Sequence, residues 1–180
     1  MNEDAPVNEE NPVNEEAAVE APRPDDPVLA GLAEQFPAAA FTSRGDYDEA
    51  AVPAGDVAGF AAAAREAGYD AFVDLCAVDH LQRRPQRYEV VVNLLDLTRP
   101  ARLVVKVALD GPDPEMPTLS EVYPGANAYE REAWDLLGVR FTDHPDLVRI
   151  LLPEDWEGHP LRKDVPVGAV PVQFKEPDRR

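Results

Sequence analysis

The stretch between residues 71 and 109 constrains the fold most. Three apolar runs follow one another there, joined by polar links at 79–87 and 96–101 that are too short for a crossover helix. In the third run Leu103, Val105, Val107 and Leu109 alternate with Arg102, Lys106 and Ala108, the two-residue period of a strand with one core face and one partly wet face. Residues 71–78 and 88–95 are apolar on both sides except at Asp74, Glu89 and Asn93, which assigns them more central positions in the sheet. The three runs together predict an antiparallel meander.

Helices flank this meander. Val57, Phe60, Ala61, Ala64 and Ala67 recur at helical spacing between Asp56, a good N-cap, and Gly68, placed for a left-handed C-terminal residue, so a helix is predicted over about 57–67. Its stripe is mostly alanine, which suits close approach to a sheet. A short helix near 28–35 and a hairpin across 38–52, turning at Arg44-Gly45-Asp46, precede it. Residues 110–127 carry Pro112, Pro114, Pro117 and Pro124 and read as a loop. Asn127 as N-cap with Glu130 at the third helical position then opens a helix over 127–138, with Ala133, Trp134 and Leu137 on one side. The expected fold class is α+β: an antiparallel or mixed sheet with packed helices over residues 28–140.

Both ends differ from this domain. Residues 1–27 hold nine carboxylates against one arginine, with five prolines, and are expected to be a disordered acidic tail. The tail contains a small repeat, Pro6-Val7-Asn8-Glu9-Glu10 and Pro12-Val13-Asn14-Glu15-Glu16, to which no function attaches. Residues 141–180 are proline-rich with one short apolar run, Ile150-Leu151-Leu152, and read as an extended C-terminal arm that needs a surface to lie on.

A chain of 180 residues suffices for one domain core. Its net charge of −18 argues against nucleic acid and anionic lipid as partners and favours a neutral or basic protein. The lone Cys76 excludes an internal disulfide, and three scattered histidines do not build a zinc cluster with it; the chain reads as cytosolic. No run approaches the roughly eighteen apolar residues of a membrane span, so contact with a membrane is expected only through other subunits.

Residues 124–166 gather dense charge, fixed turns and both tryptophans, Trp134 and Trp156. Glu130, Glu132 and Asp135 invite a hydrolytic reading, with one carboxylate as acid and another as base or nucleophile. Residues two apart on a helix face different ways, however, so Glu130 and Glu132 do not readily flank one bond. The alternative is that these carboxylates answer Arg131 and other basic groups, within the subunit or across an interface. His144, between Asp143 and Asp146, lacks a second His or Cys at ligand spacing and is expected to fix a turn or meet a partner carbonyl. Cys76 is expected to be a small buried hydrophobe. Trp156, followed by Arg162-Lys163-Asp164, reads as a partner anchor, or as a turn in which Trp156 covers the chain's own core.

Several pieces occur in a telling order: Phe72-Val73-Asp74-Leu75-Cys76-Ala77-Val78-Asp79, Tyr88-Glu89-Val90-Val91, Tyr123-Pro124-Gly125-Ala126-Asn127, Glu130-Arg131-Glu132-Ala133-Trp134-Asp135-Leu136-Leu137-Gly138, His144-Pro145-Asp146-Leu147, and Trp156-Glu157-Gly158-His159-Pro160-Leu161-Arg162-Lys163-Asp164. They resemble the C-type, 30-kilodalton subunit of proton-translocating NADH-quinone oxidoreductase (respiratory complex I), over about residues 40–175. The chain departs from the family pattern at Asp143, usually glycine, at Val148, often basic, and at Ala128 and Val165, commonly aromatic. The resemblance implies a subunit without catalytic, cofactor or metal residues of its own, in the hydrophilic arm of the complex at the cytoplasmic face of the cell membrane. Flavin, iron–sulfur clusters and the quinone pocket would belong to other chains. It further implies docking on the quinone-pocket subunit near the iron–sulfur subunits, with Glu130, Arg131, Glu132, Asp135, His144, Asp146, Arg149, Trp156, Arg162, Lys163 and Asp164 as partner-binding residues. The equivalent subunit of a membrane-bound hydrogenase or another complex-I-related oxidoreductase is the alternative, and a free-standing hydrolase using Glu130 or Glu132 a third reading.

Overall fold

The computed structural model of the chain describes residues 26–81 and 83–166. Apart from Asp26 and Pro27, the expected acidic tail lies outside the described residues, as does the arm beyond Pro166. Asp26 caps the first helix, α1 (Pro27–Gln35), by accepting from the Val28 and Leu29 amides at 2.9 and 3.4 Å. The predicted hairpin is β1 (Ala40–Ser43) and β2 (Asp48–Ala51), and α2 (Val57–Glu66) follows a single 3-10 turn at Ala54–Asp56. Asp56 stands before α2 but makes no side-chain cap bond. The meander is β3 (Ala71–Asp79), β4 (Tyr88–Asp96) and β5 (Ala101–Leu109); β6 (Glu115–Pro117), α3 (Ala126–Leu137) and β7 (Arg140–Thr142) complete the fold.

The five-stranded sheet has the order β1-β2-β5-β4-β3, antiparallel throughout except where β2 and β5 pair in parallel. It is therefore a mixed sheet in an α+β fold. One positional expectation is corrected: β5 is central and β3 is the edge strand. The two-sided apolar pattern of β3 arises because α3 packs along it, so a helix supplies the burial that a neighbouring strand would have given. The apparently wet face of β5 is explained by Lys106, whose ammonium lies 2.9 Å from Glu49 on β2.

One sheet face carries the core. Tyr88, Val90, Val92 and Leu94 of β4 and Leu103, Val105 and Val107 of β5 are buried with Val57, Phe60, Ala61 and Ala64 of α2. Phe60 sits among aromatic neighbours, its ring 5.3 Å from that of Phe36 and 6.0 Å from that of Phe41. Tyr123 ties the loop before α3 to this layer, donating to the Tyr69 carbonyl at 2.7 Å, and burial pushes its phenol well above the ordinary range.

One junction fixes the end of β4. Asp96 closes β4 by accepting from the Thr98 and Arg99 amides and from Arg99 Nε at 2.5 Å, bonds that hold its carboxyl below the usual range. Gly68 lies against it with φ +110°, and a Cβ there would stand 2.8 Å from Asp96 Oδ2, so glycine is required on both counts.

The segment read as a loop over 110–127 contains β6, which pairs in parallel with β7 and joins buried Met116 to buried Phe141. A three-residue strand ending in proline leaves no periodicity to read. Phe141, expected to begin the arm, is thus anchored in the domain. Residues 143–166 hold neither helix nor strand, and they lie against the chain's own α3 and β3–β4 hairpin.

Phe60→Ala should lower the unfolding free energy of the full chain by about 3–5 kcal/mol in urea titration at neutral pH. Leu97→Ala, at an exposed position between β4 and β5, should change it by less than about 0.5 kcal/mol.

Candidate interaction site on the C-terminal segment

Helix α3 begins one residue earlier than expected. Gly125 is the N-cap residue and makes no side-chain bond, while Asn127 lies inside the helix and offers its carbonyl to His144 Nε2 at 3.3 Å. No capping box forms, because Glu130 turns elsewhere. Its fully buried carboxylate accepts from Thr118 Oγ1 at 2.5 Å and from the Leu119 amide at 2.6 Å, with His144 Nε2 3.8 Å away. Burial raises the Glu130 pKa, and those two bonds and the imidazole oppose the rise. His144 Nδ1 accepts from the Asp146 amide at 3.1 Å, which leaves the ring hydrogen on Nε2 for the Asn127 carbonyl. His144 therefore fixes the turn after β7, one of the two roles expected for it.

Asp135, one turn further along α3, organises the segment after that turn. Its Oδ2 accepts from three successive amides, Ile150 at 3.1 Å, Leu151 at 2.8 Å and Leu152 at 2.9 Å. Its Oδ1 receives Arg149 Nη1 at 2.6 Å. Burial by itself would raise the carboxyl, but the Leu152 amide, Arg149 and the other two amides reverse that and bring its pKa down to about 2.

Arg149 extends the same knot. Nη1 also donates to the Asp135 carbonyl, and Nη2 donates to the Trp156 carbonyl at 2.7 Å and the Gly158 carbonyl at 3.0 Å. Its guanidinium lies 5.5 Å from the Trp134 ring centroid, and His159 meets that ring edge-on at 6.2 Å. These contacts satisfy carbonyls that a helix end leaves without intrahelical donors. The Asp135 carbonyl receives Arg149 and His159 Nδ1, the Leu136 carbonyl receives the Leu161 amide, and Gly138 closes the helix at φ +77°. A Cβ on Gly138 would stand 2.6 Å from His159 Cδ2, so the C-terminal glycine also makes room for the segment. On the helix flank, Arg131 donates to the Val148 and Arg149 carbonyls.

A second buried carboxylate holds the far end. Asp79, at the end of β3, receives Arg87 through two nitrogens at 3.1 and 2.9 Å, the Leu81 amide at 2.8 Å and the Lys163 amide at 2.9 Å. Burial opposes ionisation there, yet the Arg87 pair and the two amides keep the carboxyl well below the usual range. Arg87 also reaches Asp164 at 3.0 Å, and the Asp79 and Asp164 carboxylates raise its own pKa. Arg162 donates to the Pro112 carbonyl, and the guanidinium groups of Arg87 and Arg162 lie 4.8 and 5.5 Å from the buried Tyr88 ring. Sequence reading did not single out Asp79 and Arg87. The available signal was an acid ending one predicted strand with a base just before the next.

The structure thus corrects the partner-binding expectation for Glu130 and Asp135, which are sealed inside the chain with their oxygens taken. Arg131, His144, Arg149 and Arg162 are engaged within the chain, and Trp156 contributes its carbonyl. Glu132, Asp146 and Lys163 are exposed, and Asp164 is exposed while paired with Arg87. Glu130 is buried where Glu132 faces solvent, so these two carboxylates do not form a hydrolytic pair. Cys76, expected to be buried, is exposed on the edge strand, and partial burial with Asp74, Glu89 and Glu132 nearby pushes its thiol up. Among the described residues no group of three or more His, Cys, Asp or Glu side chains is arranged to hold a metal.

Comparison with known proteins covers most of the chain. The family described as the 30 Kd subunit of respiratory-chain NADH dehydrogenase matches residues 50–170. The NADH-quinone oxidoreductase C-type subunit of Roseiflexus castenholzii is 47% identical over 156 residues, covering 83% of this chain and 89% of that protein. Its namesake in Roseiflexus sp. (strain RS-1) is 50% identical over 119 residues, covering 66% of this chain and 68% of that protein. Among solved structures, a trypsin-resistant fragment of Nqo5 superposes with a TM-score of 0.59 at 28% identity, over 67% of this chain and 99% of the fragment. A chain of the membrane-bound sulfane sulfur reductase, an archaeal respiratory membrane complex, superposes with a TM-score of 0.70 at 25% identity, over 85% of this chain and 96% of the other.

Asp135→Asn should lower stability at pH 7 by on the order of 2–4 kcal/mol, because it removes a buried charge from donors arranged for it. A carboxyl held near 2 in the folded chain contributes fully above its unfolded value of about 4, and that contribution is lost as pH falls toward 2. Urea titrations across this window should show wild type losing stability more steeply than Asp135→Asn. Equal slopes would mean that the carboxylate is not held ionised.

Proposed function

The chain belongs to the 30-kilodalton subunit family of respiratory-chain NADH dehydrogenases, and on that premise we propose that it is a cofactor-free structural subunit of the hydrophilic arm of a proton-translocating NADH-quinone oxidoreductase. It supports electron transfer from NADH through iron–sulfur clusters to quinone by holding other subunits in place. It docks on the quinone-pocket subunit near the iron–sulfur subunits, and reaches the cytoplasmic face of the membrane through them.

The observation that carries this reading is how the charges of residues 124–166, together with Asp79 and Arg87, are used. Glu130, Asp135, Asp79, Arg149 and Arg87 fix the shape of the chain's own C-terminal segment. The oxygens of these buried acids are taken by the chain's own donors, and the spread of intrachain bonds suits a rigid docking platform. Among the described residues no helix is long and apolar enough to cross a membrane. In the partner-binding set, Glu132, Asp146, Lys163 and Asp164 are the residues with side chains at the surface, and they are the ones retained for direct contact.

The second reading, a subunit of a related oxidoreductase, draws on the likeness to the sulfane sulfur reductase chain. One experiment separates the two. Affinity purification of the tagged full chain from its native membranes, followed by mass spectrometry, should recover the quinone-pocket, iron–sulfur and NADH-oxidising flavin subunits together. Recovery without the flavin subunit would favour the related oxidoreductase, and recovery of none of them would sink both readings.

A further inference from the structure

Val148, Ile150 and Leu151 are 46, 40 and 60% exposed. Single exposed aliphatic residues are ordinary on a protein surface. Here three fall within four positions, at most ~11 Å apart along the chain, on a backbone that is held fast. Arg131 takes the Val148 and Arg149 carbonyls, and Asp135 takes the Ile150, Leu151 and Leu152 amides. Arg149, in the middle of the run, turns its charged side chain inward to Asp135. The usual arrangement is inverted: the charge is inside and the aliphatic groups face out.

The sequence on either side of this run is acidic. Asp143, Asp146, Glu154, Asp155 and Glu157 are all exposed, and their side chains make no ion pair or hydrogen bond among the described residues. Arg149 is the sole Lys or Arg between positions 143 and 158, and its charge is answered by Asp135; the cation the fold adds beside the run is Arg131 of α3, which is spent on the Val148 and Arg149 carbonyls.

We infer that residues 148–151 form an apolar knob, flanked in sequence by carboxylates that have no ion pair among the described residues, that seats in an apolar depression bordered by Lys or Arg side chains on a neighbouring subunit of the same assembly. The inference rests on the subunit role proposed above. Rim charge selects this occupant. An anionic lipid surface would be repelled. A second copy meeting through the same patch would set like-charged rims against each other. A basic-rimmed apolar depression answers both the exposed aliphatics and the carboxylates around them.

The test uses the full tagged chain in its native cells and quantifies the partner subunits that co-purify. Ile150→Gln with Leu151→Gln should reduce their recovery at least about tenfold, a hot-spot-sized loss, while the melting midpoint of the purified chain stays unchanged. Glu154→Lys with Asp155→Lys and Glu157→Lys should reduce recovery several-fold through the rim alone. Normal recovery with both variants overturns the knob, and so does a lowered midpoint, which would mean that Ile150 and Leu151 hold the chain's own fold. Two further results would overturn it: dimerisation of wild type that the Gln variant abolishes, and increased binding of an apolar dye at this patch on removal of residues 167–180 alone. If wild-type chain recovers no partner subunit, the proposed function itself fails; if wild type recovers them and the variants do too, only the knob fails.

Discussion

The carboxylate of Asp135 is the interaction on which the last stretch of the described chain, residues 143–166, depends. Residues 143–166 have no ladder or helix to satisfy their backbone, and a segment of that length would ordinarily need water or another protein for its amides. Asp135 takes three of them at once and anchors Arg149, which in turn takes carbonyls at Trp156 and Gly158. Because the same residues satisfy the C-terminal carbonyls of α3, the helix end and the segment complete each other. Neither would have its polar groups filled alone.

Much of this fold was legible because it rests on periodicity. The three meander strands, α2 and α3 all carry patterns that survive without tertiary knowledge. The misplaced edge strand shows where such reading stops. A residue buried by a helix and one buried by a strand look alike in sequence, so β3 read as central. The same limit hid β6, too short for a pattern, and hid the pairing of β2 with β5, which brings Glu49 to Lys106 across 57 positions.

In the candidate site the residue types were legible and their direction was not. Glu130, Asp135 and Arg162 stand out by dense charge and Arg149 by the family resemblance, and neither signal says whether a charged group faces a partner or its own chain. Asp143 illustrates what a family pattern adds. It occupies φ +61°, at the position where the resemblance leads to the expectation of glycine, and aspartate is a residue that tolerates this left-handed region.

A buried ion pair is not the most stabilising way to close such a gap, since well-packed apolar groups of similar volume often do as well or better. Stability is therefore a poor explanation for Asp135 and Arg149. An apolar replacement could fill the volume under residues 149–152 but could not satisfy three successive amides and three carbonyls in one geometry. What the pair supplies is a fixed backbone path, with Arg149 inward and its aliphatic neighbours outward. Asp79 acts likewise at residue 163, receiving a backbone amide and leaving the Lys163 side chain at the surface. In both places a buried acid fixes which way the chain faces. That follows if the outer surface of this segment, more than its hold on the domain, is what the sequence has to specify.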